Sequence, residues 1–183
     1  MILIIAGTNR PGSSTFKIAT VLQAHYAAAG IESEIYSLTE MPPELFAPTS
    51  YAQKPEAWLA VQRRVLDAAG LHVITPEYNG SFAGVLKYFI DMLKFPESFE
   101  HKPVAFTGVA SGIWGGLRAV EQLQMVFGYR NAHVYPDRVF IPALHTRLND
   151  DGHLTDPAID ARLAKQATGF ATYAHALAPS RRP

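Results

Sequence analysis

Residues 7–15, Gly7-Thr8-Asn9-Arg10-Pro11-Gly12-Ser13-Ser14-Thr15, set glycines, hydroxyls and one guanidinium directly behind an apolar run, Met1 to Ala6. An amphipathic helical pattern starts right after them, so the order reads strand, loop, helix. Such a loop turns the free N–H groups of a helix N-terminus, and the positive end of the helix dipole, toward one anion. Arg10 adds a fork for phosphate oxygens, while Ser13, Ser14 and Thr15 supply hydroxyl donors and a helix N-cap. The chemistry read here is capture of a phosphate group. The spacing from Gly7 to Gly12 equals that of the glycines in a Walker A loop, but Ser13 stands where the phosphate-grasping lysine belongs. No apolar strand ending in a magnesium-binding Asp follows. The G-x-G-x-x-G dinucleotide fingerprint is absent as well, so a monophosphate is expected. The plainer alternative is a polar turn with Arg10 in solvent.

Two further loops carry candidate binding groups. Pro76-Glu77-Tyr78-Asn79-Gly80-Ser81 follows the apolar run Leu71 to Thr75, and Ala110-Ser111-Gly112-Ile113-Trp114-Gly115-Gly116 follows Pro103 to Val109. Gly112, Gly115 and Gly116 lack side chains that would hold a ring away, so the backbone there can approach something flat. A flavin fits that description. Amides at Glu77, Tyr78 and Asn79 would bond the polar edge of its ring, with Tyr78 packed beside it. The competing reading is that the glycines only cap a helix and Tyr78 is a surface aromatic.

These loops need elements to position them. Glu34 to Leu38 reads as a second strand, and Val134 to Ile141 contains a fifth after those ending at Thr75 and Val109. Helical stripes lie between the strands: Ile18, Val21, Leu22 and Tyr26; Trp58, Val61, Val65 and Leu66; Leu86, Phe89, Ile90 and Leu93; Val120, Leu123 and Phe127; and Leu163, Ala167, Phe170, Ala174 and Leu177. Strict alternation demands right-handed crossovers and a five-stranded parallel sheet with helices on both faces. Ligands of such sheets bind at the carboxyl ends of the strands, which puts all three loops on one edge. Met41 to Lys54 is proline-rich and reads as an irregular excursion. Leu144 to Pro157 is polar, with Asn149-Asp150-Asp151-Gly152 as a turn or hairpin tip, and reads as a connector.

The 183 residues suit one compact domain, 1–178, with 179–183 a frayed tail. Sixteen basic residues balance sixteen acidic ones, so nothing favours nucleic acid or an anionic membrane surface. Cysteine is absent, which excludes disulfides, thiolate metal sites and cysteine nucleophiles, so redox chemistry needs a borrowed cofactor. The seven histidines show no H-x-x-x-H pair, and no metal site is expected. His101, placed before a strand, is either a proton source or a solvated edge residue. No G-x-S-x-G elbow suggests a serine hydrolase, and no clustered acids suggest a phosphoacceptor receiver. The apolar run at Met1 is too short for a signal peptide and lacks a basic leader, and the C-terminal helix is too interrupted by charge to span a bilayer. A cytoplasmic protein is expected.

Taken in order, Gly7-Thr8-Asn9-Arg10-Pro11-Gly12-Ser13, then Thr75-Pro76-Glu77-Tyr78-Asn79 with Leu86-Lys87-Tyr88-Phe89-Ile90-Asp91, then Ser111-Gly112-Ile113-Trp114-Gly115-Gly116 resemble the hallmarks of the NADPH-dependent FMN reductases and quinone reductases of the flavodoxin-like superfamily. The resemblance covers nearly the whole chain and implies a flavodoxin-like three-layer α/β sandwich. It implies noncovalent FMN, with Thr8, Arg10, Ser13 and Thr15 at the phosphate and Pro76 to Asn79 with Ser111 to Gly116 as the ring cradle. It also implies NADPH or NADH as hydride donor to flavin N5, then two-electron reduction of a quinone-like or other small acceptor by ping-pong exchange, with no obligatory catalytic side chain. A homodimer or homotetramer is implied too, with Trp114, Phe82, Tyr88 and Phe95 as apolar groups near the site edge. The chain departs from the pattern at Phe82-Ala83-Gly84 and at Tyr88, which replaces the usual Asn and bears on pocket shape. The alternatives are a flavodoxin-type electron shuttle, which the balanced charge does not favour, and a non-catalytic FMN-binding module.

Overall fold

The N-terminal apolar run forms β1 (Ile2–Ala6), buried along its whole length as a central parallel strand must be. The computed structural model describes residues 1–178; the tail at 179–183 lies outside them. β2 (Ser33–Ser37), β3 (Gly70–Pro76) and β4 (Pro103–Val109) join β1 in the order β2-β1-β3-β4, every pairing parallel. The last position holds two short strands in place of the one expected over 134–141. β5 (His133–Val134) pairs with Pro103 and Val104, and β6 (Val139–Ile141) pairs with Thr107 to Val109. Pro136 sits in the gap, where it has no N–H to give the ladder. The Gln166 side chain partly replaces the missing pairing by donating to the backbone oxygens of Phe106 (2.9 Å) and Asp137 (3.0 Å). Counted by position the order is 2-1-3-4-5, that of flavodoxin-like doubly wound folds.

Alternate residues of β1 point to opposite faces and open two cores. Leu3 and Ile5 pack with Trp58 and Val65 of α2 (Glu56–Asp67), Phe89 and Ile90 of α3 (Gly84–Met92), and Leu123 and Phe127 of α4 (Leu117–Tyr129). Ile2 and Ile4 pack with Ile18 and Leu22 of α1 (Ser14–Ala28) and Leu163 and Phe170 of α5 (Pro157–Ala176). This is the three-layer sandwich expected from the alternation. Among the described residues no helix is long and apolar enough to cross a membrane.

Several polar groups in these cores are satisfied by one another, while the buried Tyr36 hydroxyl has no hydrogen-bond partner among the described residues. The Tyr26 hydroxyl meets His72 Nδ1 at 2.7 Å, His72 Nε2 meets Thr107 Oγ1 at 2.9 Å, and Thr107 donates to Gln166 Oε1 at 2.8 Å. Because Thr107 spends its proton on Gln166, its oxygen accepts from His72 Nε2–H, and Nδ1 is left to accept from Tyr26. Burial pushes the His72 pKa down to about 3, with hydrogen bonding to Gln166 opposing only in part. On the other face Lys102, also buried, donates to the oxygens of Val65, Leu66 and Ala68 at 2.8–3.0 Å, closing the C-terminus of α2.

The expected excursion after β2 winds into three short 3-10 turns, Leu38–Glu40, Pro43–Phe46 and Pro48–Tyr51. Tyr88 fastens it to α3: its hydroxyl donates to Leu45 O at 2.6 Å and its ring stacks on Phe46 at 4.7 Å. His101 lies two residues before β4, beside His133 with ring centroids 5.2 Å apart. That is the amino edge of the sheet, so His101 cannot serve chemistry at the carboxyl edge.

Candidate functional site

A cleft of about 300 Å³ opens at the carboxyl edge of the sheet. The loop after β1 supplies residues 10–15, the loop after β3 supplies Pro76, Glu77 and Tyr78, and β4 with its loop supplies Val109, Ala110 and Ser111. The three loops therefore converge as the strand order requires.

Ser13 caps α1, its Oγ accepting from Phe16 N at 3.2 Å. The N–H groups of Ser14 and Thr15 sit in the first turn, where the helix itself offers no acceptor. Gly12 holds a left-handed φ of 64°, with open space where a Cβ would stand. The Arg10 side chain is exposed at the same wall, and among the described residues it has no ion-pair partner. This corner thus gathers a helix dipole, unmet N–H groups and a guanidinium, the combination that binds a phosphate.

The second loop closes on itself. Tyr78 N donates to Ser81 O at 2.7 Å and Ser81 N returns to Tyr78 O at 3.0 Å, around Asn79 (φ 53°) and Gly80 (φ 75°). An Asn-Gly pair is the sequence this tight turn selects. Asn79 is consequently exposed at the turn tip and does not line the cleft. Glu77 does, and its Oε1 accepts from Arg118 Nη1 at 3.1 Å, while Oε2 is buried without a donor among the described residues.

Several residues of the expected set stand away from the cleft wall. Thr8 is buried and not on the cleft wall; its hydroxyl meets Tyr78 OH at 2.8 Å and takes Arg10 N at 3.3 Å, so it ties the first loop to the second. Gly115 and Gly116 do not line the cleft either. Both have positive φ, and a Cβ would stand 2.9 Å from Ile141 N at Gly115 and 2.7 Å from Val109 N at Gly116. They are glycines because the loop lies against the chain's own β4 and β6. Gly112 is absent from the wall too, though a Cβ there meets nothing within 4 Å. The cleft brings together Arg10, Ser13, Ser14, Thr15, Pro76, Glu77, Tyr78 and Ser111 of the expected set.

Two lining residues were not anticipated. Leu144 and His145 come from the segment read as a connector, which turns back after β6 to reach the cleft. The Asn149 to Gly152 tip does form: Leu148 bridges Leu154 and Asn149 N donates to His153 O at 3.0 Å.

Known proteins resemble this chain in sequence and in fold. A family model described as NADPH-dependent FMN reductase matches residues 1–146. An NADPH azoreductase of Bacillus sp. (strain OY1-2) is 31% identical over 157 residues, covering 86% of this chain and 83% of that protein. An FMN-dependent NADPH-azoreductase of Staphylococcus aureus (strain USA300) is 33% identical over 115 residues, 61% of either chain, so that match spans less than two thirds of the staphylococcal protein. In fold, the flavoenzyme NAD(P)H:(acceptor) oxidoreductase FerB of Paracoccus denitrificans superposes with a TM-score of 0.80 at 23% identity, covering 95% of this chain and 96% of that one.

Proposed function

Because the chain belongs to the NADPH-dependent FMN reductase family, we propose that its carboxyl-edge cleft holds FMN and that the protein reduces a small organic acceptor with NADPH or NADH. The observation that carries this reading is the single cleft shared by residues 10–15, Pro76 to Tyr78 and Ser111. The residues fit the cofactor. A phosphate meets Arg10, the hydroxyls of Ser13, Ser14 and Thr15 and the open N–H groups of the first turn of α1, and the flat ring belongs with Pro76 to Tyr78 and Ser111. A volume of about 300 Å³ is at the small end for ligand sites, which suits a cofactor bound by its phosphate end with one face left open.

Bound FMN would supply the redox chemistry, taking hydride from the nicotinamide and passing two electrons to the acceptor in alternating steps at one face. The chain's own groups bind and orient. Thr8 holds the Tyr78 hydroxyl and with it the turn 78–81, and Arg118 holds Glu77 at the rim. No side chain is assigned as an obligatory acid or base. Azo compounds and quinones are the acceptors we propose, the former because two relatives carry azoreductase names. We further propose a homodimer or homotetramer, supported by the apolar groups Phe95, Trp114, Met125 and Tyr129, all more than half exposed.

The test is steady-state oxidation of NADPH and of NADH by the FMN-loaded protein with an azo dye and with a quinone. Parallel initial-rate lines are expected for exchange through one face. Intersecting lines refute the shared face, and no acceptor-dependent turnover with either nicotinamide refutes the enzymatic reading.

A further inference from the structure

We infer that His145 is a phosphate-binding residue of the cleft, its imidazole N–H donating to the anion that the first loop also holds; the inference rests on the flavin reading above. His145 lines the same cleft as residues 10–15, while its neighbour Leu144 is buried beneath. Among the described residues no group bonds the imidazole, so both ring nitrogens are free to face a ligand.

The backbone that delivers it is fixed with unusual care. Ala143 adopts a left-handed φ of 49° although it is not glycine, a conformation that persists only when its surroundings enforce it. Those surroundings are visible. Ala143 N donates to Gly112 O at 3.3 Å and Leu144 N to Ala110 O at 3.0 Å, which staples the corner to the loop after β4. From the other side Arg147 donates to Pro142 O at 2.8 Å and pairs with Asp156. Asp156 is itself the N-cap of α5, accepting from Ala158 N and Ile159 N, so the clamp is anchored in the scaffold. The hairpin that follows leans on the first turns of α1: a Cβ at Gly152 would stand 3.3 Å from Lys17 Cδ. The hairpin thus touches α1 at Lys17, its fourth residue, and His145 lines one cleft with residues 10–15.

Charge at the cleft favours the same assignment. Of its lining groups Glu77 is the one carboxylate, and Arg118 already holds it. Arg10, the positive end of α1 and His145 remain, and all three suit a phosphate oxygen.

The experiment titrates the parent, His145→Ala and His145→Gln with FMN and with riboflavin, which has the same ring and ribityl chain but no phosphate, following flavin fluorescence. The exposed position of His145 leaves folding intact. His145→Ala is expected to lose about five- to tenfold in its preference for FMN over riboflavin, with riboflavin affinity unchanged. His145→Gln, which restores an N–H donor, keeps the preference within about twofold of the parent. An unchanged preference in the alanine variant, an equal loss for both flavins, or a glutamine variant that falls with alanine overturns the assignment. A parent that binds both flavins equally overturns the phosphate site itself, and one that binds neither overturns the flavin reading and this inference with it.

Discussion

One buried imidazole, His72, makes its own contribution to acid destabilisation of this fold, and the size of that contribution can be worked out. His72 is buried between α1 and α5 with its proton on Nε2 and its Nδ1 accepting from Tyr26, so a second proton has no place to go without displacing the tyrosine hydroxyl. Its folded pKa is about 3, against about 6.5 in an unfolded chain. Above pH 6.5 both states are neutral at this residue and the full stability is present. As pH falls below 6.5 the unfolded chain takes up a proton that the folded chain refuses, and stability drops until about pH 3. The loss from this residue is about 2 kcal/mol by pH 5 and about 3 kcal/mol by pH 4. Carboxylates titrate in the same window, so the assay compares variants. Urea unfolding of the parent and of His72→Gln at pH 7.5 and pH 5 should show a parent that loses about 2 kcal/mol more than the variant over that interval. Glutamine keeps an acceptor and a donor but does not titrate. Equal losses in the two proteins would refute the assignment.

The other structural and binding predictions are more local. Gly116→Ala should cost roughly 2–3 kcal/mol in flavin-free protein, because its φ is 88° and the new Cβ meets Val109 N at 2.7 Å, whereas Gly112→Ala should stay within about 0.5 kcal/mol; thermal unfolding distinguishes the two. Lys102→Met should cost about 2–4 kcal/mol in urea, since the oxygens of Val65, Leu66 and Ala68 lose the donor they share. Arg10→Ala should weaken FMN about tenfold and leave riboflavin unchanged, and equal FMN affinity would put the guanidinium in solvent.

The parts of the site that could be read in the chain were those in which local pattern and global topology agree. A short apolar run, a glycine-hydroxyl loop and a helical stripe locate β1, the first cleft loop and α1, and alternation alone puts the next two loops on the same edge. The glycines of the third loop were legible as close approaches, but only the folded chain shows that Gly115 and Gly116 approach β4 and β6. Composition cannot say which surface a missing side chain makes room for. Thr8 is similar: a hydroxyl in an anion loop suggests a phosphate ligand, and only the folded chain shows that it also meets Tyr78, seventy residues away. The break between β5 and β6 has a visible cause in Pro136 and the charged Asp137-Arg138 pair after it, between the apolar stretches Val134-Tyr135 and Val139 to Ile141. His145 carried no periodic or motif signal. Its place depends on the left-handed turn at Ala143 and on the clamp between Arg147 and Asp156, both of which arise from tertiary contacts.

The central claim is that the carboxyl-edge cleft is a flavin mononucleotide site. Titration of flavin-free protein with FMN, read by fluorescence and by the visible absorbance of the complex, tests it most directly. Saturation at one FMN per chain in the micromolar range or below, with riboflavin weaker, is the predicted result. No uptake at micromolar FMN would contradict it.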